Sequence, residues 1–138
     1  MFIAEINTNN KVTEVKEVGE LYKGNGIKIN SFDFKLMGTS YSGGNFIGYY
    51  ITLTVDKSTI TADGVDKAVI TAKTFNYDDT PATDYTTGII FDVNGTQQTV
   101  APVNGEATIE FKSSIAGNFT IKTVNDVIRN GEVTIIAS

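Results

Sequence analysis

The chain has 138 residues, 41% of them hydrophobic, a formal net charge of −5, thirteen glycines and two prolines, with no cysteine, histidine or tryptophan. That length closes around one ordinary core and a small appendage, not two full domains. Without cysteine there are no disulfides, thiolate metal sites or cysteine nucleophiles; without histidine the usual general base at neutral pH and the commonest metal ligand are gone.

The acidic residues are spread thinly and no basic stripe exists to neutralise phosphates, so nucleic-acid binding is not expected. No apolar run approaches the roughly 20 residues that cross a bilayer. The opening residues, MFIAEINTNNKVTEV, lack a basic region followed by a long apolar stretch, so no secretory signal is expected and the chain reads as soluble.

Phe2, Ala4 and Ile6 alternate with polar or opposite-facing residues. Asn7-Thr8-Asn9-Asn10 supplies turn chemistry and Lys11–Val15 returns as a second strand, a β-hairpin. The spacing of Val12, Val15, Val18 and Leu21 leaves a short helix over 11–22 open as the alternative. Gly24-Asn25-Gly26 breaks this element. Ile27 and Ile29, then Phe32, Phe34 and Leu36, predict two short strands with a bulge or a bend at Asn30-Ser31. Gly38–Asn45, rich in small residues, reads as a mobile loop, a hinge or a binding loop.

From Phe46 onward, alternation at period two recurs: Ile51, Leu53, Val55; Ala68, Ile70, Ala72; Ile89, Phe91, Val93; Ala107, Ile109, Phe111; Phe119, Ile121; Val133, Ile135. Turns are expected at Asp63-Gly64, Asn94-Gly95, Asn104-Gly105, Gly117-Asn118 and Asn130-Gly131. Strands every 8–12 residues or so between such turns define an all-β fold, a β-sandwich before a barrel.

Two stretches here carry a likeness to a known family. Thr54–Gly64 (TVDKSTITADG), followed by Asp66–Ala72 (DKAVITA), resembles the opening of bacterial immunoglobulin-like domains of the invasin and intimin type. Ala116–Ile121 and Gly131–Ile135 resemble their last two strands. The resemblance implies a seven-stranded immunoglobulin-like sandwich over residues 51–138, used without catalysis as a spacer, adhesive or display module on bacterial surface proteins and tailed-phage virions. Residues 1–50 fall outside it and are expected to form a β-rich extension for attachment or oligomerisation, with Phe2, Ile3, Ile6, Phe32, Phe34, Leu36, Tyr41 and Tyr49 as partner-binding residues.

A short, single-copy chain without a signal or disulfides fits a phage structural protein, made in the host cytoplasm and carried on a head, neck or tail. Its partners would be other virion proteins or itself. The alternative is a bacterial cell-surface adhesion or carbohydrate-binding module, touching glycans through 38–45 and 76–87. Tyr41, Phe46, Tyr49 and Tyr50 form an aromatic group suited to packing or to ligand contact.

The one foothold for catalysis is Asp78, Asp79 and Asp84 around Pro81, but a polar loop leaves carboxylates solvated and not poised by burial. The same three are the calcium candidates, since carboxylates and carbonyls are the ligands that calcium takes; their spacing is not that of an EF-hand. No cofactor is expected.

Overall fold

The computed structural model describes residues 1–138, and every regular element but one is a strand. The hairpin at the start is real: β1 (Phe2–Ile6) and β2 (Val12–Glu17) pair antiparallel, and β3 (Ile27–Ile29) joins the other side of β1. The helical alternative for 11–22 gives way because the Asn7 carboxamide accepts hydrogen bonds from the Asn9 and Lys11 amides, at 2.9 and 3.0 Å, closing the turn locally.

The strand expected at Phe32, Phe34 and Leu36 is instead a single 3₁₀ turn, Phe34–Leu36. Asp33 caps it, its carboxylate accepting the Lys35 amide at 2.9 Å, and such a local bond outcompetes extended pairing. The stretch read as a mobile loop is a second correction. Residues 38–47 form a tight hairpin, β4 (Ser40–Ser42) and β5 (Asn45–Ile47). Gly43 and Gly44 both take positive φ at its turn, 58° and 85°, the geometry a two-residue hairpin demands.

The rest is a sandwich. β6 (Tyr49–Val55), β8 (Lys67–Asn76) and β11 (Glu106–Lys112) make a three-stranded sheet in the order β11-β8-β6. The facing sheet has five strands in the order β10-β9-β12-β13-β7: β7 (Thr59–Ile60), β9 (Ile89–Val93), β10 (Thr96–Val100), β12 (Gly117–Thr123) and β13 (Glu132–Ala137). β6 and β7 are successive halves of one edge strand that leaves the first sheet at Asp56–Ser58 and joins β13 in parallel. Counted so, the sandwich has the seven strands of an immunoglobulin-like domain.

Inward residues of both sheets form one cluster of fourteen buried side chains, with Phe91, Ile70, Ile89, Ile121 and Ile135 fully enclosed. The alternating positions read from sequence supply most of it. Asn94 and Asn104, each followed by glycine, take left-handed φ of 48° and 53° as turn residues. Gly117-Asn118, in contrast, begins β12, the turn lying just before it, and Asn130-Gly131, expected as a turn, forms none ahead of β13.

A separate cluster of four buried residues, Ala4, Val12, Val15 and Leu36, lies in the N-terminal part and is flanked by Phe46 and by Tyr77 from the sandwich. At the seam between the two parts, Ile128 packs on Gly48. A Cβ there would stand 2.6 Å from the Ile128 Cδ1 and 3.0 Å from the Thr39 Cγ2, so any larger residue would make the end of the Ile128 side chain shift.

Candidate functional surface

The residues expected to meet a partner divide by burial. Ile3 and Leu36 are 1% and 5% exposed and belong to the chain's own interior. Tyr49 stacks edge-on against Tyr85, ring centroids 5.0 Å apart, and packs on the large core. Ile6 leans on the small cluster. Tyr41 pairs with Phe46 across the β4–β5 hairpin at 4.9 Å. Phe32 and Phe34 are the open ones, 44% and 68% exposed.

Phe32 and Phe34 meet edge to face at 4.6 Å, and Phe2 lies 6.2 Å from Phe32. The capped 3₁₀ turn holds Phe34 outward while its neighbour Leu36 points inward, a three-residue geometry that alternation alone would not separate. An aromatic patch on the surface of the smaller part is the result, of the composition that protein interfaces favour.

The aromatic group read around 41–50 does not assemble as one. Tyr50 stacks flat on Phe75 at 5.2 Å, and the Arg129 guanidinium sits 4.0 Å above the Tyr50 ring. The Tyr50 hydroxyl donates to Asp79 at 2.8 Å, and the Lys35 ammonium pairs with the same carboxylate at 2.7 Å. Lys35 comes from the 3₁₀ turn and Asp79 from the loop after β8, so this group is an outer tie between the two parts.

Its electrostatics follow from the contacts. The Lys35 ammonium, then the Tyr50 hydroxyl, hold the Asp79 carboxyl below its ordinary range. Asp79 in turn raises Lys35, and burial followed by the Asp79 bond raises Tyr50. Of the calcium candidates, Asp79 is thus engaged by a cation. Asp78 accepts from the Thr80 hydroxyl at 2.6 Å and amide at 3.1 Å, and Asp84 stands exposed. No group of three or more acidic side chains comes close enough to share an ion.

Three open clefts exist, of about 340, 230 and 130 Å³. The largest lies between Ile29, Asp33, Phe46 and Tyr77, the second between Lys11, Tyr49, Asp126 and Ile128, and the third beside Glu5 and Tyr22. Each is lined by a single carboxylate, whereas acid–base work on a glycosidic bond takes two.

Sequence reasoning missed a polar knot at the same end of the sandwich. Asn125, 8% exposed, donates to the Tyr85 hydroxyl at 3.1 Å and the Gly88 carbonyl at 2.9 Å, and accepts from the Ile90 amide at 2.8 Å. Asn130 accepts from the Asn125 amide and the Thr123 hydroxyl, both at 2.9 Å. Every polar atom in this knot is satisfied, so it fixes the loops by structure and offers no unpaired group to a ligand. The Asn130-Gly131 turn signal was its only trace in the sequence.

The class this architecture defines is an immunoglobulin-like β-sandwich carrying a small β-rich N-terminal unit. No family model matches the sequence, and no curated protein matches it. Among solved structures, a glycosyl hydrolase family 2 member from Bacteroides cellulosilyticus is similar over 72% of this chain and 17% of its own, at 16% identity and a TM-score of 0.54. That likeness is one of fold.

Two intimin structures are also similar. The C-terminal 282-residue fragment of intimin, solved in complex with the intimin-binding domain of the translocated intimin receptor, matches at 22% identity and a TM-score of 0.49, over 63% of this chain and 32% of that one. The D0-D1 domain of intimin matches at 18% identity and 0.44, over 62% and 45%. The chain spans less than half the length of each solved chain it matches.

Proposed function

We propose that this chain is a non-enzymatic structural module, in which the N-terminal unit attaches to a larger assembly through Phe2, Phe32 and Phe34 and the sandwich is held outward. The observation that carries this reading is the pair of exposed, mutually packed phenylalanines on the smaller part. Two large aromatic side chains left in water beside an otherwise closed small core are suited to burial against a partner. The finer reading makes the assembly a phage virion, the chain decorating its head, neck or tail. A core that closes without any disulfide supports this setting, because such a chain can fold and assemble in a reducing cytoplasm.

The test uses purified virions of the producing phage and the double variant Phe32→Ser/Phe34→Ser. Wild-type chain should cosediment with particles, and the variant should stay in the supernatant with an unchanged circular dichroism spectrum. A variant that still cosediments would refute attachment through this patch. A wild-type chain absent from particles would refute the virion reading.

A second reading, a bacterial cell-surface adhesion module, draws on the opposite end of the sandwich. There the 61–66 and 113–116 loops meet, the Gly64 amide donating to the Ser113 carbonyl at 3.0 Å, and Val65 and Ile115 stand 78% and 72% exposed. Loops 38–45 and 76–87, the earlier candidates for glycan contact, lie at the seam instead. Binding to whole bacterial cells that is lost in Val65→Ser/Ile115→Ser but kept in the phenylalanine variant would favour adhesion.

A further inference from the structure

The sheet edges of this molecule are not alike. β2 carries Glu14, Lys16 and Glu17, and β11 carries Glu106, Glu110 and Lys112; charges of this kind keep edge strands from joining others. β6 is covered along its first half by Ile128–Arg129, the Ile51 amide donating to the Arg129 carbonyl at 3.0 Å and the Ile128 amide to the Tyr49 carbonyl at 2.8 Å. β10, Thr-Gln-Gln-Thr-Val, has no charge, no proline and no cover. Its first four residues are exposed, and none of its backbone groups bonds outside the ladder with β9.

The hairpin fixes which backbone groups are free. Asn94-Gly95 is a two-residue turn, so the flanking pair Val93 and Thr96 is hydrogen-bonded, and Gln98 and Val100 also bond inward to Phe91 and Ile89. The N–H and C=O groups of Gln97 and Thr99 therefore point away from the sheet. Two donors and two acceptors, spaced two residues apart, make an edge that is complementary to itself about a two-fold axis through Gln98.

We propose that β10 is a self-association edge, pairing antiparallel with β10 of a second copy to join two five-stranded sheets into one. Gln97 of each copy lies opposite Thr99 of the other, and the two Gln98 residues face one another at the centre. The occupant is a second copy because an isologous antiparallel pair sets the strand against its own symmetry equivalent, only the axial residue facing itself. Any net charge on the strand would oppose like charge, and β10 is an exposed edge with none. Thr and Gln side chains can bond across such a pair, whereas the glutamates of β11 would repel.

The inference does not rest on the phenylalanine patch, which belongs to the other part of the molecule. Sedimentation equilibrium of the full chain should give a concentration-dependent species of twice the mass of one chain. Gln98→Lys and Gln98→Glu should each sediment as monomers, since the axis then sets two like charges about 4.5–5.5 Å apart at their Cβ atoms. An equimolar mixture of the two should restore the dimer. Phe32→Ser/Phe34→Ser should dimerise like the wild type. A wild-type chain that stays monomeric throughout overturns the proposal, as does a dimer that both Gln98 variants leave intact or a mixture that fails to re-form one.

Discussion

The two parts of this chain reach order by different means. The sandwich, 49–138, gathers fourteen buried hydrophobic residues into one cluster between two sheets, while the largest such cluster of the N-terminal unit, 1–48, has four and borrows Tyr77 from its neighbour to close them. A sheet of three short strands cannot bury enough apolar area by itself. The smaller unit is accordingly tied down by polar and backbone links: the Tyr77 amide to the Gly48 carbonyl at 2.8 Å, and the Lys35–Asp79–Tyr50 group. Stability in one part comes from enclosure and in the other from attachment to it.

The sharpest way to break this contrast is to remove one core side chain from each part. Phe91→Ala should destabilise the whole chain by about 3–5 kcal/mol, and Leu36→Ala by about 2–3 kcal/mol, as large-to-small core changes do. The qualitative difference matters more. Under native-state hydrogen exchange, Phe91→Ala should speed exchange in both parts, and Leu36→Ala only in residues 1–48. Equal acceleration everywhere in the Leu36 variant would mean that the two parts unfold as one.

Next in size is the polar knot. Asn125→Ala leaves the Ile90 amide without a partner and removes a donor to the Tyr85 hydroxyl, which should cost about 2–3 kcal/mol in urea unfolding. Because the knot fixes the loops under the seam, exchange at Gly48–Ile51 should rise as well. Loss confined to 85–90 and 123–131 would separate the knot from the junction.

The smallest effect is electrostatic. The Lys57 ammonium, then the Thr61 amide, hold the Asp66 carboxyl below its ordinary range, and amides of Asp66 and Val65 do the same for Asp63. A carboxyl depressed in the folded state binds protons more readily when unfolded. Its stabilisation is therefore complete above the ordinary carboxylate pKa and is lost as pH falls through the depressed folded value. Thermal unfolding followed from neutral to acid pH should show the midpoint falling, and Asp66→Asn should lower the neutral plateau slightly while flattening that fall. An unchanged acid limb would place the pH dependence elsewhere, Glu5 and Asp79 being next.

Period-two alternation was enough to locate β6, β8, β9, β11, β12 and β13, because each of these strands has one face in the core and one in solvent. β10 escaped notice for the opposite reason: lying at the sheet edge, it exposes both faces and carries no apolar pattern to read. β7 was missed because two residues after a change of sheet are too few to show a period. In the first fifty residues the small core leaves fewer positions under constraint, so Phe34 and Leu36 look alike in sequence and differ only in what the 3₁₀ turn does with them.

The candidate surfaces were legible to the same extent. Phe2, Phe32 and Phe34 could be picked out as apolar residues outside the main core, but Ile3 and Leu36 had equal claim until burial separated them. The sequence by itself determined the sandwich, its core-facing residues and most of its turns, since alternation and Asn-Gly or Asp-Gly pairs are local signals with local physical causes. Only the tertiary structure decided which apolar side chains stay outside, how the smaller unit leans on the larger, and which edge is left open. Those outcomes depend on residues far apart in the chain competing for the same enclosed space, and no local pattern records who wins.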